Sequence, residues 1–330
     1  MKQKVTPTGQ DSFAAGFSRE KLRGVLLPFI TPFDEDGEVD VRALRANLAK
    51  WNETGVIGYV ALGSTGERVH LCEREYLEVI ETAREAVPDE LALIVGAGQQ
   101  STRGTIAEIK RAASAGAQAV LVLTPHFYRG AMRQDVLAEF YLSVADAAPV
   151  PVLLYSMPDL TGLAIAPETA ARLGEHDNII GLKDSSGDVV GLAETLRLVP
   201  EDFAVMTGNG PLLYAALCAG AHGAILAVGC VAPRLSVEIY CAVRAGEHER
   251  ALKMQRRLTP LALAVTKRYG IGGLKAAMGM LGYTGGLPRR PLQEASAEAR
   301  TEIARLVREA GLPEEETSHQ EARLAGALNQ

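Results

Sequence analysis

The sequence predicts an α/β protein built as a (β/α)8 TIM barrel with additional C-terminal helices. Eight short apolar runs recur between residues 22 and 229 of the 330-residue chain. Amphipathic segments with apolar residues three and four apart separate them. No G-x-G-x-x-G follows the first run, as a doubly wound dinucleotide-binding sheet would require. Strand and helix patterns in alternation need crossover connections and hence a parallel sheet, and eight units suffice to close one.

The runs are, in order, LRGVLLPFIT (22–31), GVIGYVALG (55–63), LALIVGAG (91–98), AQAVLVLTP (117–125), PVLLYSM (151–157), NIIGLKDS (178–185), FAVMTGN (203–209) and AHGAILAVG (221–229). Each is rich in Val, Ile, Leu or small residues, the composition of strands covered on both faces. Between them CEREYLEVIETAREAV (72–87), STRGTIAEIKRAASAG (101–116) and RQDVLAEFYLSVADAA (133–148) carry the helical period. The barrel is expected over 21–246, after a polar lead-in at 1–20. KMQRRLTPLALAVTKRYG and GLKAAMGMLGY place a helical extension at 247–310, and an acidic stretch begins the exposed tail expected at 311–330.

Composition narrows the setting. Hydrophobic residues make up 47% and charged residues 22% of the chain, which excludes a disordered one. A net charge of −6 gives no basis for binding nucleic acid or an anionic membrane surface. No apolar run reaches spanning length and the start, MKQKVTPTGQDSF, lacks a signal peptide's apolar segment, so a cytoplasmic location is expected. Cys72, Cys218, Cys230 and Cys241 form no C-x-x-C pair and are expected as buried free thiols in a reducing compartment.

The chemistry is expected at the C-terminal mouth of the barrel, where strand ends and the following loops meet. Lys183 ends the sixth run, although lysine is among the residues least often buried. An apolar mouth disfavours an ammonium, and a neutral amine is a nucleophile that forms a Schiff base with a ketone. Taken alone, Lys183 is more simply a side chain reaching for solvent or paired with Asp184. Tyr155 near the end of the fifth run changes that balance, because a phenol beside an amine relays the protons of imine chemistry. GSTGE (63–67) follows the second run; its glycines permit a tight turn, and Ser64, Thr65 and exposed amides suit a carboxylate. Such turns are also common without any ligand.

GSTGE, Y-S-M-P-x-x-T-G at 155–162 and G-L-K-D-S at 181–185 together resemble the dihydrodipicolinate synthase/N-acetylneuraminate lyase superfamily, over essentially 22–295. The tyrosine-to-lysine spacing, 183 − 155 = 28, fits as well. The resemblance implies a class I (Schiff-base) aldolase or lyase that binds pyruvate or another 2-keto acid as an imine. It gives Lys183 the imine and Tyr155 the proton transfers. Ser64 and Thr65 would hold the carboxylate, with Gly208 and the backbone of Ile225 shaping the pocket beside it. It implies no metal or organic cofactor, an aldehyde as the second substrate, and a homotetramer built from dimers.

Two positions bear on the branch. Dihydrodipicolinate synthases place an arginine before the Thr-Gly of the tyrosine motif to hold the aldehyde's carboxylate; this chain has Leu160. They also use a tyrosine after the fourth strand that reaches a neighbouring subunit's site; the matching position in TPHFYRG is Phe127, with Tyr128 next to it. TP-x-x-YRG, GLKDS with a following GDV, and VTKRYGIGGLK (265–275) are most similar to the 4-hydroxy-2-oxoglutarate aldolase branch, where Ser185 would lie near the substrate. The preferred expectation is therefore reversible cleavage of a 4-hydroxy-2-oxo acid to pyruvate and an aldehyde. Dihydrodipicolinate synthesis from pyruvate and aspartate semialdehyde, and a sugar-acid aldolase or dehydratase, are the alternatives. A binding barrel that keeps the lysine without turnover is the reading from another class.

Overall fold

The computed structural model describes residues 17 and 19–312. Its eight strands, β1 (Val25–Leu27), β2 (Gly58–Ala61), β3 (Ala92–Ala97), β4 (Ala119–Leu123), β5 (Val152–Ser156), β6 (Ile179–Asp184), β7 (Ala204–Thr207) and β8 (Gly223–Ile225), pair in sequence order. Every pair is parallel, and β8 returns to β1 through Leu26 opposite Ile225, so the barrel is closed. Closure leaves no free sheet edge, and each strand lies inside one of the predicted runs. Most of the lead-in at 1–20 and most of the tail at 311–330 lie outside the described residues.

The apolar residues sort into two cores because successive side chains on a strand point to opposite faces. Leu26, Val60, Ile94, Leu121, Leu153, Met206 and Ile225 fill the barrel interior. Leu27, Val95, Val122, Leu154 and Val205 point outward into a larger core shared with the helices.

The covering helices are α1 (Val41–Trp51), α2 (Glu73–Ala86), α3 (Thr102–Ser114), α4 (Gln134–Ala147), α5 (Pro158–Thr161), α6 (Pro167–Gly174), α7 (Val189–Leu198), α8 (Leu213–Cys218) and α9 (Pro233–Arg244). Their starts follow capping chemistry: Asp40 accepts from the amides of Arg42 and Ala43, and Ser101 from that of Gly104. The extension adds α10 (His248–Leu263), α11 (Gly270–Met280) and α12 (Ala297–Glu309), with a π-helical turn at Ala264–Arg268 between the first two. Two contacts seat the segment after α11 on α1: Tyr283 stacks on Trp51 with ring centroids 5.2 Å apart, and Asn47 exchanges hydrogen bonds with the backbone of Thr284.

One expectation is corrected. Only Cys230 is buried; Cys72, Cys218 and Cys241 are exposed. The apolar neighbours of Cys218 and Cys241 sit on the inner faces of α8 and α9, while the thiols occupy the outer ones. Cys72 stands at the start of α2, where its own amide donates to Glu75 Oε2 at 2.8 Å.

Candidate active site

A pairing irregularity aims the site lysine. Val152 pairs with Ile179 but Leu153 pairs with Gly181, so β6 carries one extra residue, Ile180, against β5. Uninterrupted pairing would set Leu182 opposite Tyr155. With the bulge Lys183 takes that place, while Leu154 and Leu182 turn outward together. Pro158 starts α5 just beyond β5, consistent with the strand stop expected there. Lys183 is 4% exposed, and its Nζ stands 4.3 Å above the centre of the Tyr155 ring. Asp184 does not take the role of counter-ion; its carboxylate accepts from the amide and hydroxyl of Ser186, at 2.9 and 3.0 Å.

The Tyr155 hydroxyl lies 3.2 Å from Ser64 Oγ. Burial alone would push its pKa up. The charge of Lys183, with hydrogen bonding to Ser64, Lys183 and Ser185, more than offsets this and brings the phenol below its ordinary value. A phenol so placed gives up a proton more readily than one in water.

The turn after β2 presents hydrogen-bond donors. The amides of Gly66 and Glu67 donate back to Gly63 O and Ser64 O, whereas those of Ser64 and Thr65 find no acceptor among the described residues. Two adjacent free amides beside a hydroxyl make a small concave donor site. Thr65 is buried and Ser64 exposed towards the mouth. Gly208 is required by close approach: a Cβ there would overlap Ser185 Oγ and lie 2.8 Å from Lys183 Cε. Its amide donates to Asp184 O at 2.6 Å. Ile225 is fully buried in the interior core, so only its backbone is available to shape a ligand site.

Two cavities open on this cluster. One of about 250 Å³ is lined by Leu62, Ser64, Leu121, His126, Tyr155 and Leu160 and is largely apolar. The other, about 340 Å³, is lined by Ser185, Gly208, Asn209, Asp159, Thr266 and Lys267, and again by Leu160. Leu160, 61% exposed, therefore borders both. Phe127 and Tyr128 lie beyond β4 in a loop, 74% and 71% exposed, with their rings edge-on at 5.1 Å. Neither lines these two cavities; His126 lines the first, in a loop held by Gln100 Oε1, which accepts from the amides of His126 and Phe127.

Sequence reasoning missed His126, Asp159, Thr266 and Lys267. Lys267 sits 3.4 Å from Asp159 Oδ2, brought there by the π-helical turn, which has no apolar period to reveal it. It also missed Glu67, the last residue of the turn; besides His70 three residues on, its partners Lys275 and Arg289 lie more than two hundred residues away.

Comparison with known proteins agrees with this arrangement. The dihydrodipicolinate synthetase family profile matches residues 21–310. The 4-hydroxy-tetrahydrodipicolinate synthase of Archaeoglobus fulgidus is 35% identical over 287 residues, 87% of this chain and 98% of the relative. That of Methanopyrus kandleri is 34% identical, covering 88% and 97%. Among solved structures, a dihydrodipicolinate synthase from Thermotoga maritima superposes with a TM-score of 0.83 at 32% identity, over 89% of this chain and all of the other. Similarity that runs the length of both partners, on a barrel with its lysine and tyrosine side by side at the mouth, has one explanation: this chain is a member of the dihydrodipicolinate synthetase family of pyruvate-dependent lyases.

Proposed function

We propose that the chain joins pyruvate to an aldehyde, or reverses that reaction, through an imine on Lys183. The observation that carries this reading is the placement of Lys183 directly beside Tyr155 at the ends of β6 and β5. The Lys183 amine adds to the C2 carbonyl of pyruvate, and water leaves as the imine forms, with Tyr155 passing protons to and from the departing oxygen. Loss of a proton from C3 gives an enamine, whose carbon attacks the aldehyde to form the C–C bond. Hydrolysis then frees the lysine and a 4-hydroxy-2-oxo acid. The free amides and hydroxyls of Ser64 and Thr65 hold the carboxylate, Gly208 and the Ile225 backbone bound the pocket, and Ser185 faces the reacting carbons. The imine is itself the electron sink, so the sequence of steps draws on no metal or organic cofactor.

For the acceptor, the synthase name carried by the relatives supports aspartate semialdehyde, the alternative expectation, over the aldolase branch preferred from sequence. One observation favours that second reading: Leu160 borders both cavities and offers no charge to an acceptor carboxylate. The test incubates the chain with pyruvate and aspartate semialdehyde and, separately, with 4-hydroxy-2-oxoglutarate, and follows products by NMR. Turnover of the first pair supports the synthase. Pyruvate release from the second substrate alone supports the aldolase, and consumption of neither sinks both.

The same reading includes a homotetramer. It rests on the resemblance to the family, and the exposed, adjacent rings of Phe127 and Tyr128 are a surface that a second copy would cover.

A further inference from the structure

The turn that carries Ser64 and Thr65 is strained at both ends. Among the described residues, Leu62 (φ 56°) and Glu67 (φ 54°) are the two non-glycine residues with left-handed backbone, and they bracket it. Such conformations persist only where the surroundings over-determine them. The surroundings of Glu67 come largely from outside the barrel. Its Oε1 lies 2.7 Å from Lys275 Nζ of α11, both side chains being almost wholly buried. Among the described residues Lys275 is the cation that meets this oxygen. Oε2 accepts from the Arg289 amide at 2.9 Å. Lys275 also donates to Thr31 O at 2.8 Å and Leu287 O at 2.7 Å, and Thr31 Oγ1 donates to Gly66 O at 2.7 Å. The extension thereby grips the turn directly through the Glu67 carboxylate, and indirectly through Thr31 of the barrel, whose carbonyl Lys275 holds and whose hydroxyl donates to Gly66 O.

We propose that the buried Glu67–Lys275 ion pair is a positioning device for 2-keto-acid recognition, holding the strained turn so that the Ser64 and Thr65 amides face the ligand's carboxylate. Neither residue touches the ligand. The inference rests on the imine reading given above, and it assigns the C-terminal extension a part in binding that its place outside the barrel does not suggest. If the pair only stabilised the fold, its loss would weaken every ketone alike. A positioning role singles out the ketone that carries a carboxylate.

The test uses the full chain and measures the concentration of ketone that half-saturates borohydride trapping on Lys183, with pyruvate and with its uncharged methyl ester. In Lys275→Met the pyruvate value is expected to rise about tenfold and the ester value to stay within about twofold. Glu67→Gln, which keeps the side-chain volume and the oxygen facing the Arg289 amide, is expected to behave alike and carries the comparison if Lys275→Met does not fold. Equal weakening of both ketones, or no change with either in a folded variant, overturns the inference alone. Absence of any adduct in the unaltered chain overturns the imine reading, and this inference with it.

Discussion

Tyr155 shows how far one side chain depends on three neighbours. Its hydroxyl is buried, yet Lys183, Ser64 and Ser185 bring its proton within easier reach. Tyr155→Phe is expected to lower kcat by about 10²–10⁴, the usual scale for a general acid–base group. Tyr128→Phe should change it little, because Tyr128 lies in an exposed loop and lines neither cavity at the mouth. Strand alternation does not set the two side chains apart, because β4 ends at Leu123 and the Phe127 and Tyr128 rings touch. Equal losses in the two variants would put Tyr128 into the proton relay. Leu160→Arg would introduce a bidentate donor between the cavities, raising kcat/KM for aspartate semialdehyde by about ten- to a hundredfold. Steady-state assays with that aldehyde give the answer, and an unchanged kcat/KM would place the acceptor's carboxylate elsewhere.

The strand positions were legible in the sequence because apolar runs and turn residues mark them directly. The aim of Lys183 was not. It depends on the extra residue Ile180 in β6, and NIIGLKDS reads the same with or without a bulge. Lys267 and Lys275 escaped for a related reason: their partners Asp159 and Glu67 are distant in sequence, and nothing local records such a pairing. A second long-range pair is open to test through pH. Arg289 donates to both Glu75 carboxylate oxygens, at 2.7 and 2.9 Å, and these bonds hold the Glu75 pKa at about 2 against an ordinary 4.5. A carboxylate depressed in the fold contributes stability above its unfolded pKa and loses it as pH falls through the folded value. The contribution of up to about 3 kcal/mol should therefore be complete above pH ~4.5 and vanish towards pH ~2. Denaturant unfolding of Arg289→Met is expected to show a lower stability at neutral pH and a flatter profile across that window. A profile unchanged from wild type would mean the pair contributes nothing.

At the scale of the molecule, the barrel brings β2, β5, β6 and β7 to one mouth, and the extension braces the turn after β2 from outside. The homotetramer proposed above predicts that light scattering in solution gives the mass of a tetramer; a monomer at micromolar concentration would contradict that proposal. The claim on which the rest depends is that Lys183, of all the lysines, carries the substrate. Lys275 is the instructive control, since it is as deeply buried but has Glu67, Thr31 O and Leu287 O around its amine. Borohydride reduction in the presence of pyruvate, followed by peptide mapping, measures this directly. The account predicts one covalent adduct, on Lys183, and none in Lys183→Ala. An adduct on Lys267 or Lys275, or no adduct at all, would contradict it.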